Sequence, residues 1–469
     1  MENSNIIIVI PIEIKIREFL SKLYLALQIV QNSNFKVIIG GQRFLTRKIF
    51  FKNCIWIDKN TQPKHREKYP IHLDNKILML DEEGPICFQH KSIIKERYYL
   101  KLLCKQVDMF LFSGKFDLKK INYRKIKKKT SLIGNIKLNF LNSNLNKVFF
   151  KENLYIRKKY KNYIFITGHY PSAIVRTQDE WIKSVTRNIL GNTGNLSRHI
   201  SSKIKFNNLR KKNYISLLEL TKKIAKDNPQ RNVVFRKHPL ESFSFIKKYF
   251  KNKPKNLKII YKYSVTPWIA NSALHIHAGC QSSLETIKLK KKLVTYMPYY
   301  TKECFSIYRN FKPFFFNEKK CLEFIKSKKK NTKFSQKKLN NISLSFSKNC
   351  LAKNLIKIIN KNFKNLKSEI IYKVHTNNIN DIFKINLFRV GSYVKSIINN
   401  NKFIRNILIR NYLPMSITKH DKNVKFKKIG NQEIKKLIIA FKNKKNFTKD
   451  SINVKKLSDS TFLISRNEK

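Results

Sequence analysis

Short runs of Ile, Val and Leu alternate with amphipathic segments in the first part of the chain, and this alternation limits the fold more than any other feature. NIIIVIPI (5–12) predicts a buried strand, and REFLSKLYLALQIVQ (17–31) predicts a helix with its apolar side chains near one face. KVIIGG (36–41), CIWID (54–58) and ILMLDEEG (77–84) predict further strands, the last of them ending in a loop. Such strands, separated by helices, indicate a parallel sheet covered on both faces.

The pattern breaks at the polar and basic residues 142–161 and then starts again. Further strands are predicted at NYIFITGH (162–169), NVVFRKHP (232–239), ALHIHAG (273–279) and KLVTYM (292–297). A chain of 469 residues is also too long for one ordinary core. We therefore predict an α/β fold of two tandem Rossmann-like, doubly wound domains, residues 1–154 and 155–365, with a ligand cleft at the carboxyl ends of their strands.

Beyond residue 365 the periodicity fades into segments rich in Lys and Asn. We predict a basic, mainly helical C-terminal extension at residues 366–469. A basic amphipathic helix in this extension could lie on an anionic membrane, and the other interpretation is an ordinary solvated helix.

The chain is strongly basic, with 99 Lys+Arg against 29 Asp+Glu and a formal net charge of +70. The bias toward Lys, Asn, Ile and Phe is typical of drift toward AT-rich codons, and the resulting charge also favours anionic lipid or nucleic acid. The lysines are spread along the chain, without zinc-finger spacing, a basic heptad region or an RNA-recognition motif. Specific nucleic-acid binding is therefore the less favoured interpretation.

The cysteines argue against a disulfide framework and a structural zinc site. Seven of them are scattered along the chain, and none forms a C-x-x-C pair. The N-terminus shows no basic segment followed by a long apolar run and a cleavage site. We therefore expect a cytoplasmic protein, soluble or peripheral on the membrane.

The segment NVVFRKHPLES places basic side chains at the end of a predicted strand. Arg236, Lys237 and His238 lie at its carboxyl end, where open α/β sheets bind ligands. His238 can donate to a phosphate oxygen or transfer a proton near neutral pH. The alternative is a loop histidine beside the turn that Pro239 fixes.

The segment ALHIHAGCQSSLETIK combines a histidine pair with a helix start. His275 and His277 should point to the same face of a strand, but no third residue has the spacing of a zinc ligand. After Gly279, the hydroxyls of Ser282 and Ser283 and the backbone N–H groups of the helix start can bind an anion. Capping of the helix by a serine uses the same groups and explains the pattern equally well.

Several motifs in order resemble a family of bacterial surface carbohydrate biosynthesis proteins. They are a P-x-E-x-K-x-R-E segment, a D-E-E-G loop, an R-x-H-P strand end and an H-x-G-C helix entry, spread over roughly residues 5–365. The matching positions are Pro11, Glu13, Lys15, Arg17 and Glu18; Asp81 to Gly84; Arg236, His238 and Pro239; and His277, Gly279 and Cys280.

More distantly, the H-P strand end before a Ser-rich helix is similar to GT-B glycosyltransferases that use CMP-activated sugars, such as sialyltransferases and Kdo transferases. This resemblance implies that His238 and the Ser282–Ser283 pair contact the donor phosphate, and that Glu285 contacts a ribose hydroxyl. The predicted nucleotide-binding set is Arg236, His238, His277, Gly279, Ser282, Ser283 and Glu285. The predicted substrate-binding set in the first domain is Glu13, Lys15 and Arg17.

The stretch MLDEEGP contains three consecutive acids, Asp81, Glu82 and Glu83, after a predicted first-domain strand. Sugar transfer to a hydroxyl needs a carboxylate that accepts the proton, and the resemblance to GT-B enzymes implies such a group in this domain. Adjacent like charges raise one another's pKa, which helps a base to work near neutral pH. Glu82 or Glu83 is the candidate base. The alternative is an acidic loop paired with a cation such as Lys15 or Arg17.

We therefore expect a GT-B glycosyltransferase of capsule, surface polysaccharide or lipopolysaccharide assembly. Its partners would be a nucleotide-sugar donor, a saccharide or lipid-linked acceptor and the anionic inner membrane surface, with no other cofactor. The sequence has no Asp-x-Asp pair, which favours donor binding without a metal ion. The alternatives are a sugar-nucleotide epimerase or a glycerophosphotransferase of the same architecture and, less favoured, a basic nucleic-acid-binding protein.

Overall fold

The computed structural model describes residues 5–41, 45, 50–59, 74–80, 82, 107–120, 130–168, 196–238, 241, 243–302, 306–327, 334–347, 351–371, 429–441, 452–458 and 460–467. The strands are β1 Ile7–Ile12, β2 Lys36–Gly41, β3 Phe50–Lys52, β4 Ile55–Asp58, β5 Lys76–Leu80, β6 Met109–Phe112, β7 Thr130–Leu132, β8 Ile164–Thr167, β9 Val233–Arg236, β10 Leu257–Ile260, β11 Leu274–His277, β12 Leu293–Tyr296, β13 Phe314–Phe315, β14 Glu369–Ile371, β15 Ile452–Ser458 and β16 Thr461–Arg466. The helices are α1 Lys15–Asn32, α2 Lys115–Lys120, α3 Ile136–Phe140, α4 Leu145–Val148, α5 Phe150–Lys159, α6 Leu196–Asp227, α7 Phe243–Tyr249, α8 Val265–Asn271, α9 Ser282–Lys288, α10 Glu318–Lys326, α11 Gln336–Ile342, α12 Leu351–Phe363 and α13 Asn431–Phe441. None of these helices combines the length and the apolar character of a membrane span.

The first sheet has the strand order β15-β16-β2-β1-β4-β5-β6-β7, and its strands from β2 to β7 are parallel. The side chains of β1 alternate between two cores, as the pleat of a strand requires. Ile8 and Ile10 pack with α1 in one core, and Ile7 and Val9 pack with Phe51 of β3 in the other. Because both faces are covered, the strand is apolar at successive positions, and the predicted parallel sheet is confirmed.

The second sheet has the order β10-β9-β8-β11-β12-β13, and all its strands are parallel. Its two faces also carry separate cores. Ile164 and Ile166 of β8 pack against α6, whereas Phe165 of the same strand packs against Trp268 of α8. The α/β class with two parallel sheets is therefore as predicted from the sequence.

The chain returns to the first sheet after the second one. α11 contacts α2, and α12 packs against α1. Near the C-terminus, β15 and β16 form an antiparallel hairpin, and β16 pairs with β2 at the edge of the first sheet. An unpaired edge readily accepts such a strand.

The mainly helical character predicted for residues 366–469 is not confirmed. In the described part of this extension, α13 is the helix, and β14, β15 and β16 are strands. Among the described strands, β15 pairs only with β16, at the outer edge of the sheet. Its residues are half-buried or exposed and none is fully buried, so the Lys-rich sequence INVKKLS lacks the pattern of a buried strand.

Candidate active site

Polar side chains gather where the strand order of each sheet reverses. In the first sheet this point lies between β1 and β4, and in the second it lies between β8 and β11. Open α/β sheets bind ligands in the crevice at the carboxyl ends of the strands beside such a point. The residues that follow these four strands are therefore the first candidates for a functional site.

An ionic cluster of Glu13, Glu18, Lys22, Lys59 and Glu82 lies at the carboxyl ends of β1, β4 and β5. Lys22 is 3% exposed, and its Nζ donates to the backbone oxygen of the β1 proline (2.7 Å), to Glu18 Oε2 (3.0 Å) and to Glu82 Oε1 (2.9 Å). Lys59 pairs with Glu13 (2.9 Å) and with Glu18.

The opposite charges of this cluster stabilise the ionised forms of its side chains. Burial alone would raise the pKa of Glu18, but the ammonium groups of Lys22 and Lys59 hold that pKa well below its usual value. Burial would likewise lower the pKa of Lys22, and the carboxylates of Glu18 and Glu82 raise it instead. The Glu18 and Lys22 side chains are therefore charged at neutral pH.

In the acidic loop, the described residue Glu82 is paired with a cation, Lys22 (2.9 Å). Lys15 pairs with Glu433 of α13 (2.7 Å). Asp81 and Glu83 lie outside the described residues. A role of the loop as the base stays a prediction.

The same loop connects the two sheets. The backbone oxygen of Glu82 accepts hydrogen bonds from Gln281 Nε2 (2.6 Å), at the start of α9, and from Asn135 Nδ2 (2.9 Å). The D-E-E-G and H-x-G-C-Q segments, 199 positions apart at these residues, therefore meet in the structure.

His277 is part of the internal framework of the second sheet. Its side chain is fully buried, and its Nδ1 accepts from the backbone N–H groups of Gly279 (3.1 Å) and Cys280 (3.2 Å). Its Nε2 therefore carries the proton and donates to Thr295 Oγ1 (3.0 Å), whose hydroxyl in turn donates to the oxygen of Phe311 (3.1 Å). Burial lowers the pKa of His277 to about 3, so the ring is neutral.

His275 belongs to a second chain of hydrogen bonds beside it. Thr286 Oγ1 donates to the backbone oxygen of Ser282 (2.9 Å) and accepts from His275 Nδ1 (2.6 Å), so His275 Nε2 accepts from Thr167 Oγ1 (3.0 Å). The two rings lie 5.9 Å apart, on the same face of β11. Within the described residues, no three His, Cys, Asp or Glu side chains group as metal ligands.

The entry to α9 is tightly packed. Gly279 has a φ of +85°, and a Cβ there would lie 3.2 Å from both Met297 and Tyr308, so the position requires glycine. Ser282 Oγ lies 3.2 Å from Thr167 Oγ1, and Ser283 Oγ donates to the Cys280 oxygen (2.8 Å). Neither serine holds the N-cap position, which is occupied by Gln281.

Glu285 in the first turn of α9 binds groups of the protein itself. One of its carboxylate oxygens accepts from Thr266 of α8 (2.8 Å), and the other pairs with Lys137 of α3 (2.8 Å). Lys137 lies on α3, which follows the first-sheet strand β7, so this ion pair connects the two sheets. Contact of Glu285 with a ribose hydroxyl stays a prediction.

Two basic side chains, Arg236 and Lys237, lie at the end of β9 beside the ring of Tyr261. Arg236 is buried, donates to the backbone oxygen of Tyr263 (2.9 Å) and lies over the ring of Tyr261, as does the ammonium group of Lys237. Burial lowers the pKa of the Arg236 guanidinium; the carboxylate of Glu285 opposes this shift, and the positive charge of Arg17 on α1 adds to it.

His238 lies in a tight turn that Glu241 closes. Glu241 Oε2 accepts from the His238 backbone N–H (2.7 Å), and the Glu241 N–H donates to the His238 oxygen (3.0 Å). Glu241 Oε1 is buried without a hydrogen-bond partner and points at Gly168, where a Cβ would lie 2.8 Å away. The Tyr214 hydroxyl is near this carboxyl group without a hydrogen bond of ordinary geometry.

Sequence reasoning missed four residues of the site. They are Lys22, Lys59, Lys137 and Glu241. A signal was present for Lys22, because it follows Glu18 at i+4 and interrupts the apolar face of a helix. The others depend on contacts between segments that are distant in sequence, except Glu241, which hydrogen-bonds to the backbone of nearby His238.

No protein-family model and no curated protein matches the sequence. Among solved structures, the chain is similar to UDP-GlcNAc 2-epimerase from Methanocaldococcus jannaschii, with 11% identity over 76% of this chain and 100% of that one and a TM-score of 0.47. The enzyme from Neisseria meningitidis has 12% identity, the same coverage and a TM-score of 0.45. The wall teichoic acid polymerase TagF has 13% identity over 76% of this chain and 88% of that one, with a TM-score of 0.40.

Proposed function

We propose that the protein is a glycosyltransferase of GT-B type that transfers a sugar from a nucleotide-activated donor to a saccharide or lipid-linked acceptor. The observation that carries this proposal is the junction of the two sheets at their strand ends, where the backbone oxygen of Glu82 accepts from Gln281 Nε2 (2.6 Å) and the buried Arg236 lies at the end of β9. Arginine is the preferred partner of phosphate oxygens, and a phosphate bound at Arg236 would also be attracted by the positive charge of Arg17 on α1. A nucleotide sugar carries such a phosphate.

The donor would lie against the second sheet, with Arg236 and His238 at its phosphate. The sequence resemblance favours a CMP-linked sugar and a place in surface polysaccharide or lipopolysaccharide assembly in the cytoplasm. In the transfer step, the bond between the sugar carbon and the phosphate oxygen breaks, and the cations bind the phosphate that leaves. The acceptor oxygen forms the new bond to that carbon and gives its proton to a carboxylate of the acidic loop.

Nucleotide binding is expected to need arginines from both sheets. In Arg17→Gln and Arg236→Gln, we expect the Kd for the stabilising nucleotide to rise about tenfold or more, because each loses a charged hydrogen bond to phosphate. Thermal shifts with CMP, CDP, UDP and GDP identify the nucleotide, and calorimetry gives the Kd. Exposed Arg309 provides the matched control, since Arg309→Gln should bind as the wild type does.

Two results would count against the proposal. One is an absence of stabilisation by any of the four nucleotides. The other is an unchanged Kd in Arg17→Gln, because the anion would then not lie between the two sheets.

An epimerase of sugar nucleotides is the second candidate, because its substrate would occupy the same nucleotide-sugar site at the junction of the two sheets. Epimerisation removes and returns a proton at one sugar carbon and needs no acceptor. Incubation of the donor in D₂O without acceptor separates the two: an epimerase places deuterium on the sugar, and a transferase does not.

A further inference from the structure

Three large apolar side chains stand out by their exposure in the described part of the chain. Phe150 is 65% exposed, Ile439 is 64% and Leu154 is 59%, and the next are Tyr299 and Phe316 at 43% each. Phe150 and Leu154 are four residues apart on α5 and therefore share one face of that helix. Single exposed apolar residues are ordinary on protein surfaces, but two of the most exposed ones side by side on one helix are less so.

The two helices that carry these side chains are held together by α4. This short helix packs against both α5 and α13. Phe441 of α13 also contacts the rings of Phe140 and Tyr24, which fixes α13 on α3 and α1. We call the exposed sides of α5 and α13 that carry Phe150, Leu154 and Ile439, together with the exposed lysines of these helices and of α4, the α5–α13 surface.

The charge on this surface is positive. Exposed lysines lie on α13 and on α5 and its approach: Lys147, Lys151, Lys158, Lys435 and Lys436. The described acids of the same helices are less available, since Glu152 is half-buried and Glu433 pairs with Lys15. An occupant of the α5–α13 surface therefore has to accept both apolar side chains and several positive charges.

We propose that the α5–α13 surface docks the protein on an anionic lipid membrane. Apolar side chains that project from a basic helical surface enter the region between headgroups and acyl chains, and lysines around them attract anionic headgroups. A nucleic acid would also attract the lysines, but its single-stranded bases stack on aromatic rings, and aliphatic Leu154 and Ile439 provide none.

Docking in this way would bring a lipid-linked acceptor to the site. α13 carries Ile439 on the α5–α13 surface and Glu433 near its N-terminus, and Glu433 holds Lys15 just beyond the carboxyl end of β1. α13 therefore connects the α5–α13 surface with the carboxyl ends of the first-sheet strands, where the acceptor is proposed to bind. This step rests on the proposed function, whereas the docking itself does not.

Vesicle sedimentation with the full chain tests the docking. The wild type is expected to sediment with vesicles of phosphatidylcholine and phosphatidylglycerol and much less with phosphatidylcholine alone. In the triple variant Phe150→Ser/Leu154→Ser/Ile439→Ser, we expect the partition coefficient to fall at least about tenfold. The control variant Tyr299→Ser/Phe316→Ser removes the two other exposed side chains and should partition as the wild type does.

A second variant separates charge from apolar contact. Replacing Lys147, Lys151, Lys435 and Lys436 with glutamine is expected to weaken the preference for anionic vesicles, and added salt should weaken it further. Both variants change exposed side chains, and an unchanged melting temperature checks the fold. Unchanged nucleotide stabilisation in the triple variant keeps this test separate from the one for the proposed function.

Three results would overturn the docking. They are a wild type that ignores anionic vesicles, a triple variant that partitions like the wild type, and a control variant that loses as much binding as the triple variant. Loss of binding to duplex DNA in the triple variant, with vesicle binding kept, would assign the surface to nucleic acid instead.

Discussion

Lys22→Met is expected to lower the free energy of unfolding by about 3–5 kcal/mol, the usual range when one partner of a buried ion pair is removed. Methionine retains most of the length and apolar volume of the lysine, so packing changes little. The carboxylates of Glu18 and Glu82, however, lose a cation that lies 3.0 Å and 2.9 Å from them. Glu18 is 3% exposed and cannot be solvated without local opening. Urea unfolding followed by circular dichroism measures the difference.

Two further variants identify the cause. Lys119→Met changes an exposed lysine and should stay within about 0.5 kcal/mol of the wild type. Glu18→Gln in the Lys22→Met background should regain part of the loss, because the amide leaves a smaller buried charge without a partner. A Lys22→Met protein as stable as the wild type would show that the cluster contributes nothing to the fold.

The sheets could be predicted from the sequence because their determinants are local. A parallel strand buried on both faces needs consecutive apolar residues, and β1, β5 and β9 show them directly. A ligand cleft at the strand ends then follows from topology alone. The hairpin of β15 and β16 could not be predicted in this way, because its outer strand has no fully buried residue and the pairing of β16 with β2 joins opposite ends of the chain.

In the candidate site, too, the sequence indicated which residue types are present but not which partners they contact. The motifs directed attention to Glu82 and to the helix entry that ends at Cys280, and the structure joins Glu82 to the next residue, Gln281, by a hydrogen bond. The motifs did not indicate that both ring nitrogens of His277 are used within the protein, Nδ1 by the turn that follows it and Nε2 by Thr295 of β12. They also did not indicate Lys22 as the partner of the acidic loop. A motif shows which side chain is present, whereas the function of that side chain depends on the groups that the fold places beside it.

Glu241→Gln is expected to make the protein more stable than the wild type above about pH 7, by about 3 kcal/mol. Burial raises the pKa of Glu241 from 4.5 to about 7, although the His238 N–H and the neighbouring Tyr214, Lys237 and Arg236 oppose that rise. Between pH 4.5 and about 7, the Glu241 carboxyl group is ionised in the unfolded chain but still protonated in the folded protein. Stability from this residue therefore falls as pH rises from 4.5 to 7 and changes no further above 7.

Glutamine cannot ionise, but its amide oxygen can still accept from the His238 N–H. The difference between variant and wild type should consequently be small near pH 4.5 and reach its full size by pH 7, in urea unfolding across this range. The control Glu323→Gln removes an exposed carboxylate and should show no step of this size. A constant difference at every pH would mean that Glu241 does not titrate in this window. Its carboxylate would then be charged throughout, balanced by Lys237 and Arg236 at the site proposed for the donor phosphate.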